Sequence, residues 1–290
     1  MSIVMQFIIN GIMVGAIYSV IAVGIVLVYK ASKIFNFAAG GFTMIGAFFM
    51  WTFYCVVQFP LFISIILAII SVGVTAFIMQ RLAIQPLIGQ SLLSILLVTL
   101  GLSHLLEGLV MFTWGGTSES LPEIFPGKTL FIGQLVIGKD LLWSFFVSIA
   151  VMIFLLLFFK FTHAGLAMRG VAEDHQVAQA RGINVTRIFG ATWFLAGTVA
   201  SVGGILLSVK LGVSQFIGAV GFKAFPVVLI GGLESIGGAF IGGLIVGLLE
   251  NLVGGLIAPW LMEVTPYILL LFVLFVRPEG LFGLKRIERI

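Results

Sequence analysis

Long apolar runs, each closed by charge, proline or a polar cluster, recur from one end of this chain to the other. They cover 3–29, 34–58, 61–84, 91–113, 141–159, 188–210, 236–258 and 262–277. A helix needs about 20 apolar residues to cross a hydrocarbon core, so these runs are predicted membrane spans. A ninth segment, 214–233, is interrupted by glycines, Lys223 and Pro226, and reads either as a short crossing or as a re-entrant piece. Composition agrees. Of the residues 61% are hydrophobic and 9% charged, against roughly 25% charged in a soluble domain, and mean hydropathy is +1.26. Fifteen Lys/Arg and eleven Asp/Glu are too few to cover a soluble protein of 290 residues. The expectation is an all-α, polytopic transmembrane helical bundle of about eight or nine spans, forming a single transmembrane domain over 1–290. A soluble enzyme, a secreted scaffold and a disordered chain are excluded.

Basic residues orient the bundle, because cytoplasmic loops are enriched in Lys and Arg. With nine crossings and the N-terminus outside, eleven fall inside: Lys30, Lys33, Arg81, Lys160, Arg169, Arg181, Arg187, Arg277, Lys285, Arg286 and Arg289. Four fall outside: Lys128, Lys139, Lys210 and Lys223. Trp51, Trp114, Trp143 and Trp260 then lie at outer span ends, as interfacial aromatic residues do, and Trp193 near an inner one. The C-terminus is expected to be cytoplasmic. The opening Met-Ser-Ile-Val-Met-Gln has no positive n-region and leads into an apolar stretch too long for a signal peptide, so 3–29 reads as the first span. A sequence pI of about 9.4 reflects these span ends and is no nucleic-acid signal. The single cysteine, Cys55, excludes an intrachain disulfide and a Cys-based metal site.

Two connections are hydrophilic. The extracytoplasmic loop 114–140 carries Glu119, Pro122, Glu123, Pro126 and Asp140, and its Thr129–Gly138 stretch is too short to span. That stretch reads as a small external hairpin or an interfacial helix. The cytoplasmic loop 160–187 has an Ala-rich middle, about 166–180, that reads as one helix carrying Glu173 and Asp174 mid-helix. Arg169, four residues before Glu173, has the spacing to pair with it. Gly182 suits a left-handed C-terminal cap, and Asn184 the N-cap of the next span. Two readings stand: a surface connector, or a docking helix joined rigidly at Gly182 to a spanning helix.

Gly238-x-x-x-Gly242 and Gly243-x-x-x-Gly247 each put small residues one turn apart, which lets helix backbones approach closely. The contact is either within the chain or between subunits. Ionisable groups inside a span are costly and mark function by default. Glu250, beside Asn251, reads either as a path-lining or pairing group or as a carboxylate without function. Glu107, one turn after His104, reads as a proton relay or a local pair. The broken segment 214–233 and the stretch Asn36–Gly40 both put glycines near the start of an apolar segment, after spans six and one. Interruptions at matched positions point to a transporter's path, which here names Asn36, Phe37 and Gly40; Glu250 joins them as the ionisable group within a span. The interruptions also suggest inverted repeats around the fifth span.

The pattern Arg169-x-x-Ala172-Glu173-Asp174-x-x-x-Ala178-x-x-x-Gly182-Ile183-Asn184 resembles the cytoplasmic loop of ABC-importer permeases of the branched-chain amino-acid type, their version of the motif that grips the ATPase. Ile34-Phe35-Asn36-Phe37-Ala38-Ala39-Gly40, followed by Met44-x-Gly46-Ala47, is similar to that family's second span. Gly231-Gly232-Leu-Glu-Ser-Ile-Gly237-Gly238 onward to Glu250 is similar to its glycine-rich span, and Arg277-Pro278-x-Gly280-Leu281-Phe282-Gly283 to its ending. The resemblance runs in order through nearly the whole chain. Gly170, Arg181 and Gly41 depart from the family's usual residues.

The resemblance implies a bacterial-type inner-membrane permease with separate ABC ATPase subunits, a second permease (a copy or a homologue) and an external solute-binding protein. ATP is then used by the partner, and this chain binds no cofactor, metal or nucleic acid. ATPase docking would fall to Arg169, Ala172, Glu173, Asp174, Ala178 and Gly182. The chain itself lacks the Gly-x-x-x-x-Gly-Lys-Ser/Thr phosphate loop. It also lacks a paired-Asp, His-Glu-x-x-His or nucleophile-elbow pattern, so an intramembrane enzyme has no candidate catalytic residues. Runner-up readings are a permease for urea, an amide or a sugar, and an ion-coupled transporter using Glu107 or Glu250.

Overall fold

The computed structural model of the chain describes residues 2–116, 118–122, 129–133 and 135–283. Glu123, Pro126, Lys128, Lys285, Arg286 and Arg289 lie outside the described residues. Helix α1 (Ser2–Ser32) holds 31 residues, about 46 Å at 1.5 Å per residue, and forms the centre of the bundle. Its membrane-crossing window is 94% buried. The cause is local: Gly11, Gly15 and Ser19 recur at one-turn spacing and let neighbouring backbones come close. Helix α2 (Ala39–Trp51) continues through a π-turn, Thr52–Val56. Helix α3 (Leu61–Met79) starts after Pro60 and ends in a π-turn, Gln80–Ile84. Helix α4 (Leu92–Trp114) is capped at its start by the Ser91 hydroxyl and at its end by Gly115, at φ 75°.

An antiparallel hairpin follows, β1 (Thr129–Ile132) and β2 (Leu135–Gly138), with Thr129 opposite Gly138. Of the two sequence readings of this stretch, the hairpin is the one realised. Helix α5 (Lys139–Phe161) leads to the short α6 (His163–Glu173) and α7 (His175–Ala180). The second half comprises α8 (Val185–Leu211), α9 (Phe216–Phe222), α10 (Ala224–Gly231), α11 (Ile236–Leu256) and α12 (Leu261–Val276). Among the described residues seven helical segments are long and apolar enough to cross a membrane, and Phe216–Gly231 and Leu261–Val276 are shorter apolar ones.

Hydrogen bonds fix which ends share a side. The Gln6 amide donates to the Val136 carbonyl at 2.7 Å, so the start of α1 lies beside the hairpin. Glu119 and Val213 exchange backbone hydrogen bonds of 2.9 and 2.7 Å, which puts the ends of α4 and α8 on that side too. On the other side Lys33 is ion-paired with Glu234, and the Leu281 N–H donates to the Ile230 carbonyl at 2.8 Å. Segment 214–233 therefore crosses, as two short helices. The two described ends of the chain lie on opposite faces, as an odd number of passes requires.

The packing repeats itself with inverted sense. Helix α1 packs on α11, α3 on α8, and α1 and α8 pack on each other. Exchanging α1 with α8, α2 with α9–α10, α3 with α11 and α4 with α12 also carries the α2–α4 contact onto α10–α12. The glycines of α11 make this possible inside one chain. A Cβ at Gly243 would lie 2.6 Å from the Gly15 carbonyl oxygen, and one at Gly247 2.5 Å from that of Gly11. Gly242 faces the Val227 carbonyl at 2.6 Å, and Gly238 meets Gly231. All four packing glycines are thus used within the chain, against α1 and α10, rather than at a subunit boundary.

Candidate translocation core and docking segment

Helices α9 and α10 are separated at Lys223, and this break brings together what the sequence left apart. On one side of it, a Cβ at Gly40 would lie 2.6 Å from the Gly218 carbonyl oxygen, and one at Gly221 2.6 Å from the Gly40 Cα. The start of α2 and α9 therefore touch backbone to backbone. Asn36 is buried, and its Oδ1 accepts a hydrogen bond from the Ala38 N–H at 3.1 Å, turning the chain into α2. Phe37 stacks on Phe225 at 4.6 Å, and Phe225 on Phe222 at 5.9 Å. On the other side Lys223 Nζ donates to Glu250 Oε1 at 2.8 Å, and the Tyr18 hydroxyl donates to the same oxygen at 3.3 Å. Glu250 Oε2 is buried without a hydrogen-bond partner. Glu263, exposed at the start of α12, has its Oε1 4.0 Å from Lys223 Nζ.

Lys223 corrects the sequence reading. It was expected at the outer surface, yet it is 8% exposed inside the bundle. A buried charge persists when paired and hydrogen-bonded, and Glu250 supplies that partner. Phe37, Gly40 and Glu250 border the break in different ways: Phe37 meets α10 through its ring and Gly40 meets α9 through backbone, while Glu250 meets Lys223 through charge; Asn36 acts one step back, on the turn that leads into α2. Glu107 is not among them. It is hydrogen-bonded to His104 Nδ1 at 3.0 Å on the exposed face of α4, as the local pair of the two sequence readings.

The segment 160–187, read from the sequence as one helix, holds two short ones. Asp174 has extended backbone, φ −154° and ψ 116°, and its Oδ1 accepts from the N–H groups of Gln176 (2.7 Å) and Val177 (3.0 Å). It caps α7 and breaks the Ala-rich run there, since Asp competes with the helix for its own backbone donors. Glu173 is the last residue of α6, not mid-helix. Among the described residues no ion pair joins it to Arg169, whose Nε is buried without a partner. Gly182, at φ 83°, closes α7: the Ile183 N–H donates to the Ala178 carbonyl at 3.0 Å. Asn184 Oδ1 caps α8 by accepting from the Arg187 N–H at 3.0 Å.

The segment also has a core of its own. Ala31, Val171, Ala178 and Phe189 form a separate buried cluster, with Ile183, Val185 and Ile188 packed on it. His175 bonds to the Ala31 carbonyl at 3.1 Å and its ring meets Phe189 edge-on at 5.3 Å. The two short helices are therefore fastened to the end of α1 and the start of α8, while Gln176, Val177, Gln179 and Arg181 face outward.

Residues 7–274 match the family described as the branched-chain amino acid transport system permease component. The chain belongs to this permease family. It is 30% identical to the high-affinity branched-chain amino acid transport system permease protein LivH of Escherichia coli (strain K12), over 99% of this chain and 97% of that one. Identity to the corresponding protein BraD of Pseudomonas aeruginosa is 31%, over 99% and 98% of the two chains. A probable branched-chain amino acid transport permease protein LivH of Methanocaldococcus jannaschii is 30% identical over 93% and 90%. Among solved structures, PsaBC from Streptococcus pneumoniae in complex with Fab has the same fold, with a TM-score of 0.51 at 14% identity over 96% of this chain and 94% of that one. The permease is thus a multi-pass membrane protein of amino-acid transport.

Two features of the permease escaped the sequence reading. Lys223 as the partner of Glu250 had one usable signal, a lysine in an apolar segment, but no spacing rule links residues so far apart. Gly11-x-x-x-Gly15, the partner of Gly243-x-x-x-Gly247, carried the same small-residue pattern in the first span and was legible.

Proposed function

We propose that this permease is the membrane subunit of an ATP-driven importer, carrying branched-chain or related small amino acids into the cell by alternating access. The observation that carries the reading is the separate core of α6–α7. A segment fastened to both α1 and α8 passes a push from the cytoplasm to the central helix and to the first helix of the second half at once. Because α1 and α8 pack on each other and on α11 and α3, their movement shifts both halves about the break at Lys223. The relatives named for branched-chain amino acids support the substrate class.

In this reading the ATPase is a separate chain that takes hold of α6–α7. Arg169, Ala172, Glu173, Asp174, Ala178 and Gly182 shape the segment, and the exposed Val177 and Gln179 on α7 meet the partner. ABC ATPases act in pairs, so a second permease completes the pathway, and an external binding protein delivers substrate on the hairpin side. That side is extracytoplasmic, with the N-terminus outside and the C-terminus in the cytoplasm. Glu250 is the buried carboxylate among the described residues, and Lys223 already neutralises it. That favours ATP over a coupling ion.

Two variants test the docking. Val177→Asp places a charge on an exposed apolar position, so insertion should be normal while co-purification with the ATPase falls at least tenfold. Gly182→Val forces a β-branched residue into left-handed backbone, at a cost of about 1–2 kcal/mol, with open space around it; it should also uncouple transport. Wild-type ATPase binding and uptake in both would make 160–187 a connector only.

A further inference from the structure

A cavity of about 770 Å³ opens at the docking-side end of the bundle, where α1, α5, α6 and the start of α11 meet. Its lining is strongly basic. Lys30 and Lys33 come from the end of α1, Lys160 from the end of α5 and Arg169 from α6, against Glu173 and Glu234. Glu234 is taken by Lys33. Among the described residues no carboxylate comes within ion-pair distance of Lys30, Lys160 or Arg169, and Arg169 Nε is buried with no hydrogen-bond partner. Three uncommitted cations, one orphaned donor and a single uncommitted carboxylate make a site that lacks an anion.

The geometry points to which anion. Lys30, Lys33 and Lys160 end membrane spans, so the charges stand at the level of lipid headgroups. Below them the wall is apolar: Leu156 and Phe159 of α5 line the cavity. Leu156 is also 46% exposed, next to the exposed Leu157 and Phe161, so that wall runs on into the exposed apolar surface of α5. The first turn of α11, at Ile236 and Gly237, closes the rim and adds the partial positive charge of a helix start. Cations above an apolar groove open to the bilayer match a phosphate headgroup with its acyl chain, and basic pockets between spans hold anionic headgroups in this way. We propose that this cavity binds an anionic phospholipid of the docking-side leaflet, its phosphate held by Lys30, Lys160 and Arg169. The lipid would brace α6 against α1 and α5, beneath the segment that takes the partner's force.

The test uses the assembled transporter in nanodiscs of equal phosphatidylglycerol and phosphatidylcholine, with retained lipid measured by native mass spectrometry after detergent washing. Wild type should retain phosphatidylglycerol selectively. Each cation near an anionic surface is worth about 1 kcal/mol, so Lys160→Gln should weaken retention about fivefold and Lys30→Gln/Lys160→Gln about thirtyfold. Arg81→Gln, outside the cavity, should change nothing. Lys160 is exposed, so its single variant folds even if the double does not. Three results overturn the proposal: no preference for phosphatidylglycerol, unchanged retention in Lys160→Gln, or selective binding of inorganic phosphate without lipid. Loss of the ATPase from the Lys160→Gln complex with lipid retention unchanged would instead assign the cavity to a carboxylate of the partner.

Discussion

Replacing Lys223 by methionine should destabilise the permease more than any conservative change at an exposed lysine, and more than Glu250→Gln. At an effective dielectric of about 20, unit charges 2.8 Å apart attract by roughly 6 kcal/mol. Desolvating the two ions costs several kcal/mol each, so the pair as a whole is nearly neutral to stability. Losing one member is different. Lys223→Met leaves Glu250, with Oε2 already unpartnered, holding only the Tyr18 hydroxyl at 3.3 Å, and should cost about 3–5 kcal/mol. Glu250→Gln leaves a lysine whose Nζ lies 4.0 Å from the solvent-exposed Glu263. With a replacement in reach the loss should be smaller, about 1–3 kcal/mol. The double variant Lys223→Met/Glu250→Leu removes both ions and should return to within about 1 kcal/mol of wild type. Equilibrium unfolding in mixed micelles, followed by tryptophan fluorescence, reads all three. If the double variant loses the sum of the single losses, the two side chains are not coupled and the reasoning fails.

Two further outcomes are expected. Gly247→Leu would drive a side chain into the backbone of α1 near Gly11 and should abolish a stable fold, whereas Gly237→Ala, with nothing within 4 Å of the new carbon, should be neutral in the same unfolding assay. In a Cys55→Ala background, Ser118→Cys should react with an impermeant thiol reagent in intact cells and Gln179→Cys only after permeabilisation; both positions are exposed, and the reverse pattern would invert the topology.

What the sequence disclosed follows from which forces act locally. Span positions were legible because length and hydropathy alone decide them, and helix ends agree within a few residues: 91–113 against Leu92–Trp114, 236–258 against Ile236–Leu256. The caps at Gly182 and Asn184 were legible because each satisfies backbone groups of its own neighbours. The break at Asp174 was not, since an Ala-rich run favours helix on both sides and only the turn toward α1 makes capping the better use of that carboxylate. Long-range pairing stayed hidden. Nothing periodic connects Lys223 to Glu250, and the inverted repeat is written in packing partners, with little in residue identity beyond the two interrupted segments.

The central claim is that an external ATPase drives this permease. Leucine uptake into proteoliposomes holding the permease, the proposed second permease and the proposed ATPase, with the proposed binding protein outside, tests it most directly. Uptake should require ATP inside and stop when ATP is withheld, whatever proton or sodium gradient is imposed. Accumulation of leucine by the permease alone, driven by such a gradient without ATP, would contradict it.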